Sequence, residues 1–271
     1  MTLPSGDEMP HVGLGTWDLQ GETVRQSVRA GLDAGYTHVD TAEGYKNEAE
    51  IGDVLAEYDR EDLFLTSKVL PNNLHYDDVF DALEGSLDRL GVDYLDLYLV
   101  HWPNPAISLR ETMHALGKLH DQGRVRNVGV SNFSVYMLRN AEWISDVPIA
   151  ANQIEFHPWH KPMDVVEYCH ENDIAVTAAA PLARTDLFAD ETLQDVAEAH
   201  DKSVAQVALR WEIQRGVVPI PKSSTAEHIA ANLDVFDFEL SDDELARIDA
   251  IDTERKVYQQ EWDDPVYGIP Q

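Results

Sequence analysis

Eight short apolar segments recur along this chain of 271 residues, and a stretch with helical periodicity follows most of them. Runs of about four to eight apolar or β-branched residues, bounded by turn residues, are typical of strands buried on both faces of a parallel sheet. Alternation of such strands with helices, at about 30 residues per unit, predicts βαβ units joined in one sheet. The eight segments are 11–17, 36–40, 63–69, 95–101, 125–131, 148–156, 174–180 and 216–223.

The intervening segments carry signals for where helices begin and end. Residues 21–35 place apolar side chains four apart, and Gly35 stands where a C-cap is expected. Residues 108–123 begin with Ser108 and have Glu111 three positions later, the pattern of a capping box. Both segments are therefore predicted to be helices.

Eight units in a chain of this length predict an α/β fold closed into a (β/α)8 TIM barrel. An open doubly wound sheet is the alternative, but "GLGTWD" lacks the third glycine of the G-x-G-x-x-G fingerprint. Residues 1–10 predict an N-terminal β-hairpin that plugs the bottom of the barrel. The region after Asp237 predicts a C-terminal extra helix and a tail over the pocket. We expect one domain over 1–271.

The acidic charge of the chain limits the classes of partner that it can bind. Fifty acidic residues face twenty basic ones, for a formal net charge of −30, and the acids are scattered over helical segments. Acidic groups in this number repel one another, and dense counterions screen that repulsion. We therefore predict a cytoplasmic protein of a halophile. The sequence has no basic stripe to contact phosphates, so we expect no nucleic-acid partner. It has no run of about 18 apolar residues, so we expect no membrane span. We also expect a monomer.

Polar residues stand where the predicted strands end. In a barrel, the C-terminal ends of the strands build the active site. Charged side chains buried there are costly unless they are paired, so their convergence predicts a site rather than a structural core. These positions are Asp40, Lys68, His101, Ser131 with Asn132, Gln153, and Lys222 with Ser223.

The residue types at these ends predict proton transfer. A free tyrosine has a pKa of about 10, and a nearby ammonium lowers it by stabilising the phenolate. Asp40, Lys68 and Tyr45 together could form a tuned general acid. His101 could hydrogen-bond a substrate oxygen. This set suits protonation of a carbonyl oxygen while a hydride arrives at the carbon.

Six ordered segments resemble the signature segments of the aldo-keto reductase family. The resemblance runs from Gly13 to about Asn232. The short connections between elements resemble those of the microbial branch that reduces small carbonyls and keto-sugars such as 2,5-diketogluconate. The resemblance implies NADP(H) bound across the C-terminal face of the barrel and reduction of an aldehyde or ketone by hydride transfer. The segments are "HVDTAEGYKNEAEIG", "LFLTSKV", "LDLYLVHWP", "VGVSNF", "NQIEFHP" and "VVPIPKSSTAEHIAANL".

The resemblance also implies a role for each matching position. Tyr45 matches the proton donor, Lys68 and Asp40 its tuning pair, and His101 the histidine that orients the substrate. The walls of the substrate pocket are matched by Trp17 and Trp102, and the contacts to the nicotinamide carboxamide by Ser131, Asn132 and Gln153. The loop around the 2′-phosphate is matched by Lys222, Ser223, Ser224 and Thr225, and a contact to adenine by Asn232.

Two positions depart from the family pattern. Ala179 stands where an aromatic ring usually stacks on the nicotinamide, and His228 where an arginine usually grips the 2′-phosphate. Neutral histidine is a weaker phosphate partner than a guanidinium, so Lys222 favours NADP(H) while NAD(H) stays possible. Loss of the stack lends weight to an alternative function, a cofactor-sensing regulatory subunit with little turnover.

Two further features predict no chemistry. The spacing of His157 and His160 in "HPWH" resembles that of two metal ligands, but no third ligand is evident and we predict no metal site. Cys169 is the one cysteine of the sequence, which excludes an intrachain disulfide, and its helical context indicates a buried residue.

Overall fold

The computed structural model describes residues 1–258. Eight parallel strands lie side by side in the order of the chain. Backbone hydrogen bonds from Gly13 N–H to Pro219 O (2.9 Å) and from Gly15 N–H to Pro221 O (3.0 Å) join the first strand to the last. The predicted TIM barrel is thus confirmed. Its strands are β1 Leu14–Gly15, β2 His38–Asp40, β3 Phe64–Val69, β4 Leu95–Val100, β5 Val125–Ser131, β6 Ile149–Glu155, β7 Ala175–Ala179 and β8 Val217–Pro219.

Helices surround this barrel and bury their apolar faces against the strands. Gly35 and Gly91 follow the first and third helices in the left-handed conformation, with φ of 104° and 68°, as expected of C-caps. The helices are α1 Gly21–Ala34, α2 Glu48–Leu55, α3 Tyr76–Leu90, α4 Leu109–Asp121, α5 Val135–Ile144, α6 Met163–Glu171, α7 Glu191–His200, α8 Val204–Gln214, α9 Ala226–Leu233 and α10 Asp242–Asp249.

The capping box predicted at the start of α4 is wrong. Ser108 is the N-cap residue, but its side chain makes no capping hydrogen bond. Glu111 instead accepts from the Tyr76 N–H at 2.9 Å. Tyr76 is the first residue of α3, where backbone N–H groups lack a partner within the helix. Glu111 therefore caps the neighbouring helix rather than its own.

The N-terminal hairpin closes the bottom of the barrel, as predicted. Thr2 and Glu8 form an antiparallel bridge. Leu3 and Met9, on the buried side of the hairpin, are almost completely shielded from solvent. They fill the interior between the N-terminal ends of the strands, so the opposite end is left for a site. The interior side chains around them are Phe64, Leu97, Leu99, Ala150, Ala151, Ala175 and Val218.

The predicted extra helix is α10. It begins with a capping box formed by Ser241 and Glu244. Residues 251–258 then run back across the C-terminal face of the barrel. The remainder of the predicted tail lies outside the described residues. Within residues 1–258, no helix is long and apolar enough to cross a membrane.

Candidate active site

Four polar side chains meet at the C-terminal end of the barrel. Asp40 ends β2, Lys68 lies in β3, His101 follows β4 directly, and Tyr45 lies on the loop between β2 and α2. The Lys68 ammonium donates to Asp40 Oδ1 at 2.6 Å and to the Thr41 carbonyl at 2.8 Å. It also donates to the Tyr45 hydroxyl at 3.4 Å. The three residues predicted from the strand ends and the predicted loop tyrosine therefore form one cluster.

The lysine and the aspartate form a buried ion pair. Lys68 is 0% exposed and Asp40 1%. Burial lowers the pKa of Lys68, while the charge of Asp40 and its hydrogen bond act in the opposite direction. A buried charge persists only where hydrogen-bonded partners of this kind compensate for lost hydration. The pair thus places a compensated positive charge beside a phenol.

His101 presents a neutral ring to the same phenol. Burial, and then the nearby Lys68 charge, hold the pKa of His101 well below its usual value. Its imidazole meets the Tyr45 ring edge-on, with centroids 5.6 Å apart. A neutral imidazole has one N–H donor and one acceptor nitrogen. His101 can therefore hydrogen-bond an uncharged oxygen near the Tyr45 hydroxyl.

The loop that carries Tyr45 is braced by a residue that the sequence did not single out. Asn47 is completely buried and accepts a hydrogen bond from Thr41 Oγ1 at 2.9 Å. Its amide donates to the carbonyls of Thr16 and Leu19, each at 2.9 Å. Asn47 therefore connects the loop that carries Tyr45 to the loop that follows β1. A buried asparagine between lysine and glutamate carries no recognisable signal in one sequence.

The residues assigned to the nicotinamide carboxamide lie behind the ion pair. Gln153 Nε2 donates to Asp40 Oδ2 at 2.9 Å, which holds the second oxygen of that carboxylate. Ser131 Oγ donates to the Gln153 carbonyl at 2.9 Å, and Asn132 Nδ2 to the His101 carbonyl at 3.0 Å. The structure thus connects these three residues to the Asp40 and His101 end of the cluster.

A cleft of about 370 Å³ opens next to this cluster. Asp40, Tyr45 and Gln153 line its inner end. Ala179 lies in the wall of the cleft. This wall is aliphatic at Ala179, at neighbouring residues of the loop after β7 and at the end of β8. Among the described residues, β7 therefore supplies no aromatic ring to this cleft, in agreement with the departure seen in the sequence.

Two cations also line the cleft, on the loops that follow β7 and β8. One is Lys222, which was predicted. The other is Arg184, which was not; its guanidinium carbon lies 4.7 Å from the centre of the Trp17 ring. Ala183, Arg184 and Thr185 all have positive φ, from 45° to 76°. An arginine just after "APLA" was the available signal for this position.

The remaining predicted cofactor residues lie beyond Lys222 along the chain. Ser223 Oγ accepts from the Thr225 N–H at 3.1 Å, which shapes the turn into α9. Ser224 and His228 are exposed, whereas Asn232 is buried in α9. None of these five residues lines the described cleft.

The two tryptophans assigned to the pocket wall differ in their position. Trp17 lines the cleft directly. Trp102 instead meets the ring of Tyr258 edge-on, with centroids 6.4 Å apart, and Tyr258 lines the cleft. Within residues 1–258, no group of three or more His, Cys, Asp or Glu side chains could hold a metal ion.

This arrangement defines a class of protein. A closed barrel that carries a phenol against a lysine–aspartate pair, beside a cleft lined by two cations, is typical of barrel oxidoreductases that act on carbonyl groups. The chain belongs to the Aldo/keto reductase family, whose sequence model matches residues 11–253.

Known members of this family resemble the chain over most of its length. It is 43% identical over 258 residues to the glyoxal reductase of Bacillus subtilis, covering 94% of this chain and 93% of that one. An aldo-keto reductase from a Medee basin deep-sea metagenome library has a TM-score of 0.93 and 37% identity, with 96% and 97% of the two chains covered. A Bombyx mori aldo-keto reductase in complex with NADP has a TM-score of 0.91 and 34% identity, with 100% and 98% covered.

Proposed function

We propose that this protein reduces small aldehydes and ketones to alcohols with NADPH, and that Tyr45 is the general acid. One observation carries the proposal: the buried Lys68 ammonium is anchored by Asp40 at 2.6 Å and lies 3.4 Å from the Tyr45 hydroxyl. A positive charge held there stabilises the negative charge that develops on the phenol oxygen as it gives up its proton.

His101 completes the proposed proton-transfer site. Its neutral ring lies edge-on to Tyr45 and can donate a hydrogen bond to the carbonyl oxygen of the substrate. That bond orients the oxygen toward the phenol before the proton moves. The glyoxal reductase of Bacillus subtilis, whose name denotes a small dialdehyde, supports a small carbonyl substrate.

The loops around the cleft carry positive charge that suits the phosphate groups of a dinucleotide. Lys222 and Arg184 provide positive charge on the loops after β8 and β7, where barrels often bind phosphate. Gln153 provides an amide at the inner end of the cleft, and Ser131 and Asn132 bond to the Gln153 and His101 carbonyls behind it. When bound, NADPH supplies the hydride. The NADP complex of the Bombyx mori relative supports the same cofactor here.

Tyr45→Phe tests the proposal because it removes only the phenol oxygen. We expect turnover of small aldehydes and diketones, measured as NADPH oxidation in concentrated KCl, to fall by about 10²–10⁴-fold. NADPH binding, measured by fluorescence titration, should be unchanged. Tyr58→Phe is the matched control, since the Tyr58 hydroxyl bonds Asp33 on the surface. Full activity of Tyr45→Phe would overturn the assignment.

The same assay separates the proposal from its alternative. Ala179 gives the cleft an aliphatic wall, which is the observation that favours a cofactor-sensing regulatory subunit. Such a subunit would bind NADPH tightly and show negligible turnover across a broad panel of carbonyl compounds. Wild-type turnover that depends on Tyr45 would exclude it.

A further inference from the structure

Glu155 is a buried carboxylate with an unusual set of partners. It ends β6 and is 3% exposed. Its Oε1 accepts from the Val257 N–H at 2.6 Å, and its Oε2 accepts from the Tyr258 N–H at 2.8 Å. His157 Nε2 lies 3.0 Å from Oε1. One side chain of the barrel thus binds two consecutive backbone groups of the C-terminal segment.

The hydrogen bonds keep this carboxylate ionised. Burial by itself raises the pKa of Glu155, but the bonds from His157, Val257 and Tyr258 outweigh it and hold that pKa below its usual value. Bonds from N–H groups to a carboxylate are about twice as strong as those between neutral groups. Glu155 is therefore a strong attachment point for residues 257–258.

The loop after β6 provides further attachment for the same segment. The Arg255 N–H donates to the Trp159 carbonyl at 2.9 Å, and Lys161 Nζ donates to the Ile251 carbonyl at 2.8 Å. An exposed ion pair at 2.7 Å joins Arg255 to Asp186. Residues 251–258 therefore follow one defined path over the C-terminal face.

This path ends at the cleft. Tyr258 lines the cleft, together with Tyr45 and Gln153, and its ring meets Trp102, the residue after His101. The backbone N–H that Glu155 binds belongs to the residue that lines the cleft. The position of Tyr258 at the cleft is therefore coupled to the carboxylate.

We propose that Glu155 is a positioning residue for the carbonyl substrate: it holds the C-terminal segment so that the Tyr258 ring forms one wall of the substrate site. Tyr258 is the residue that contacts the substrate, and Glu155 acts through it. This inference rests on the proposed carbonyl reduction, because its kinetic test requires turnover.

Glu155→Gln in the full chain is the primary test. The amide offers one acceptor oxygen and turns an NH₂ donor toward a backbone N–H, so one of the two bonds to residues 257–258 is lost. We expect KM for glyoxal to rise about 10-fold, with kcat changed less than about threefold and the Kd for NADPH unchanged. Tyr258→Ala should raise KM similarly, and the double variant should show no further increase.

Limited trypsin digestion tests the attachment without any turnover. The Lys256–Val257 bond contains the N–H that Glu155 binds, and the segment from 257 to 271 contains no lysine or arginine. We expect release of the peptide 257–271, followed by mass spectrometry, to be about 10-fold faster in Glu155→Gln. If the wild type reduces no carbonyl compound, the proposed function fails while this measurement still decides the attachment.

Asp96→Asn is the matched control. Asp96 is also a buried carboxylate, and it accepts from the Leu65 N–H at 2.8 Å and from Arg60 at 2.7 Å near the start of β4. This variant should lower the melting temperature without changing KM or the release of 257–271. A trypsin rate in Glu155→Gln no higher than in the control would overturn the proposal. So would a KM increase that persists in full in the Tyr258→Ala background.

Discussion

Lys68 is the residue on which the contacts of the candidate site converge. An ammonium has three N–H donors, and the structure provides three oxygen partners: Asp40 Oδ1, the Thr41 carbonyl and the Tyr45 hydroxyl. Because the side chain is completely buried, water cannot replace any of them. The Tyr45 oxygen thus accepts from the lysine, which is the direction required if its own proton is to move to a substrate.

His228 provides a residue-scale prediction about cofactor preference. It is exposed on α9 at the position where the family usually has an arginine. His228→Arg should lower the Kd for NADPH about 10-fold, because a guanidinium can bind the 2′-phosphate with two hydrogen bonds. The Kd for NADH should not change. His228→Gln is the control, and equal tightening of both cofactors would contradict the prediction. Fluorescence titration measures both constants.

Glu212 provides a residue-scale prediction about pH. It is fully buried in α8, neither carboxyl oxygen has a hydrogen-bond partner among the described residues, and burial raises its pKa well above the usual value. The folded protein therefore retains a proton that the unfolded chain releases. The contribution of this group to stability is fully present below the unfolded pKa of about 4.3 and is lost as pH rises above it, by about 1.4 kcal/mol per unit.

Glu212→Gln should remove this pH dependence, because the amide is neutral at every pH. The melting temperature of the variant, relative to wild type, should rise progressively as the pH increases above about 4.5. Glu171→Gln, an exposed position, controls for the loss of one negative charge. A difference between wild type and Glu212→Gln that stays constant over this range would contradict the assignment.

At the scale of elements, the junction between β1 and β8 closes the barrel and borders the cleft. Gly15 donates its N–H to Pro221 O at 3.0 Å, and it lines the cleft. A Cβ at Gly15 would lie 2.6 Å from the Ile220 carbonyl oxygen. The second glycine of "GLGT" is thus required by the close approach of two strands.

Gly15→Ala should separate these strands slightly. We expect a loss of about 1–3 kcal/mol in the free energy of unfolding, because the atom in the way is backbone and cannot rotate aside. Urea denaturation measures this loss. Gly117→Ala is the control: its nearest neighbour would be Asp146 Cβ at 3.7 Å, and alanine in the middle of α4 should be neutral or stabilising by up to about 1 kcal/mol. Equal effects of the two substitutions would contradict the argument.

At the scale of the whole molecule, the surface charge dominates. A net charge of −30 repels itself at low ionic strength and destabilises the compact state. Many of the twenty basic residues are already engaged, as in the surface ion pairs of Arg25 with Asp53 and of Arg124 with Glu84. These pairs cannot neutralise fifty acids. Halophilic origin remains a prediction, and its physical consequence can be measured.

The melting temperature should rise steadily from about 0.1 M to about 2 M KCl, because added ions screen the repulsion. Replacing the exposed acids Glu171, Glu198 and Glu227 by glutamine should reduce this dependence on salt. Sucrose, which stabilises without screening charge, should affect the wild type and the triple variant equally. A triple variant with the same salt response as wild type would contradict the electrostatic explanation.

The barrel and the cluster were predictable because both follow from local patterns. Strands of the right length, separated by helices, restrict the topology severely, and parallel strands bring all of their C-terminal ends to one face. Asp40, Lys68 and His101 could therefore be expected near one another without knowledge of any contact. The misassigned capping box at Ser108 shows the limit: Glu111 had two helix N-termini within reach, and only the packing of α3 beside α4 decided between them.

The sequence by itself determined the order of the strands, the face on which the polar residues gather and the family to which the chain belongs, since these depend on periodicity and on local motifs. Tertiary structure alone decided that Gln153 holds Asp40, that Arg184 lies against Trp17 and that Glu155 binds the backbone at 257–258. Each of these contacts joins residues on different elements. Such a contact depends on strand register and loop path, which the packing of the whole barrel determines and no local pattern encodes.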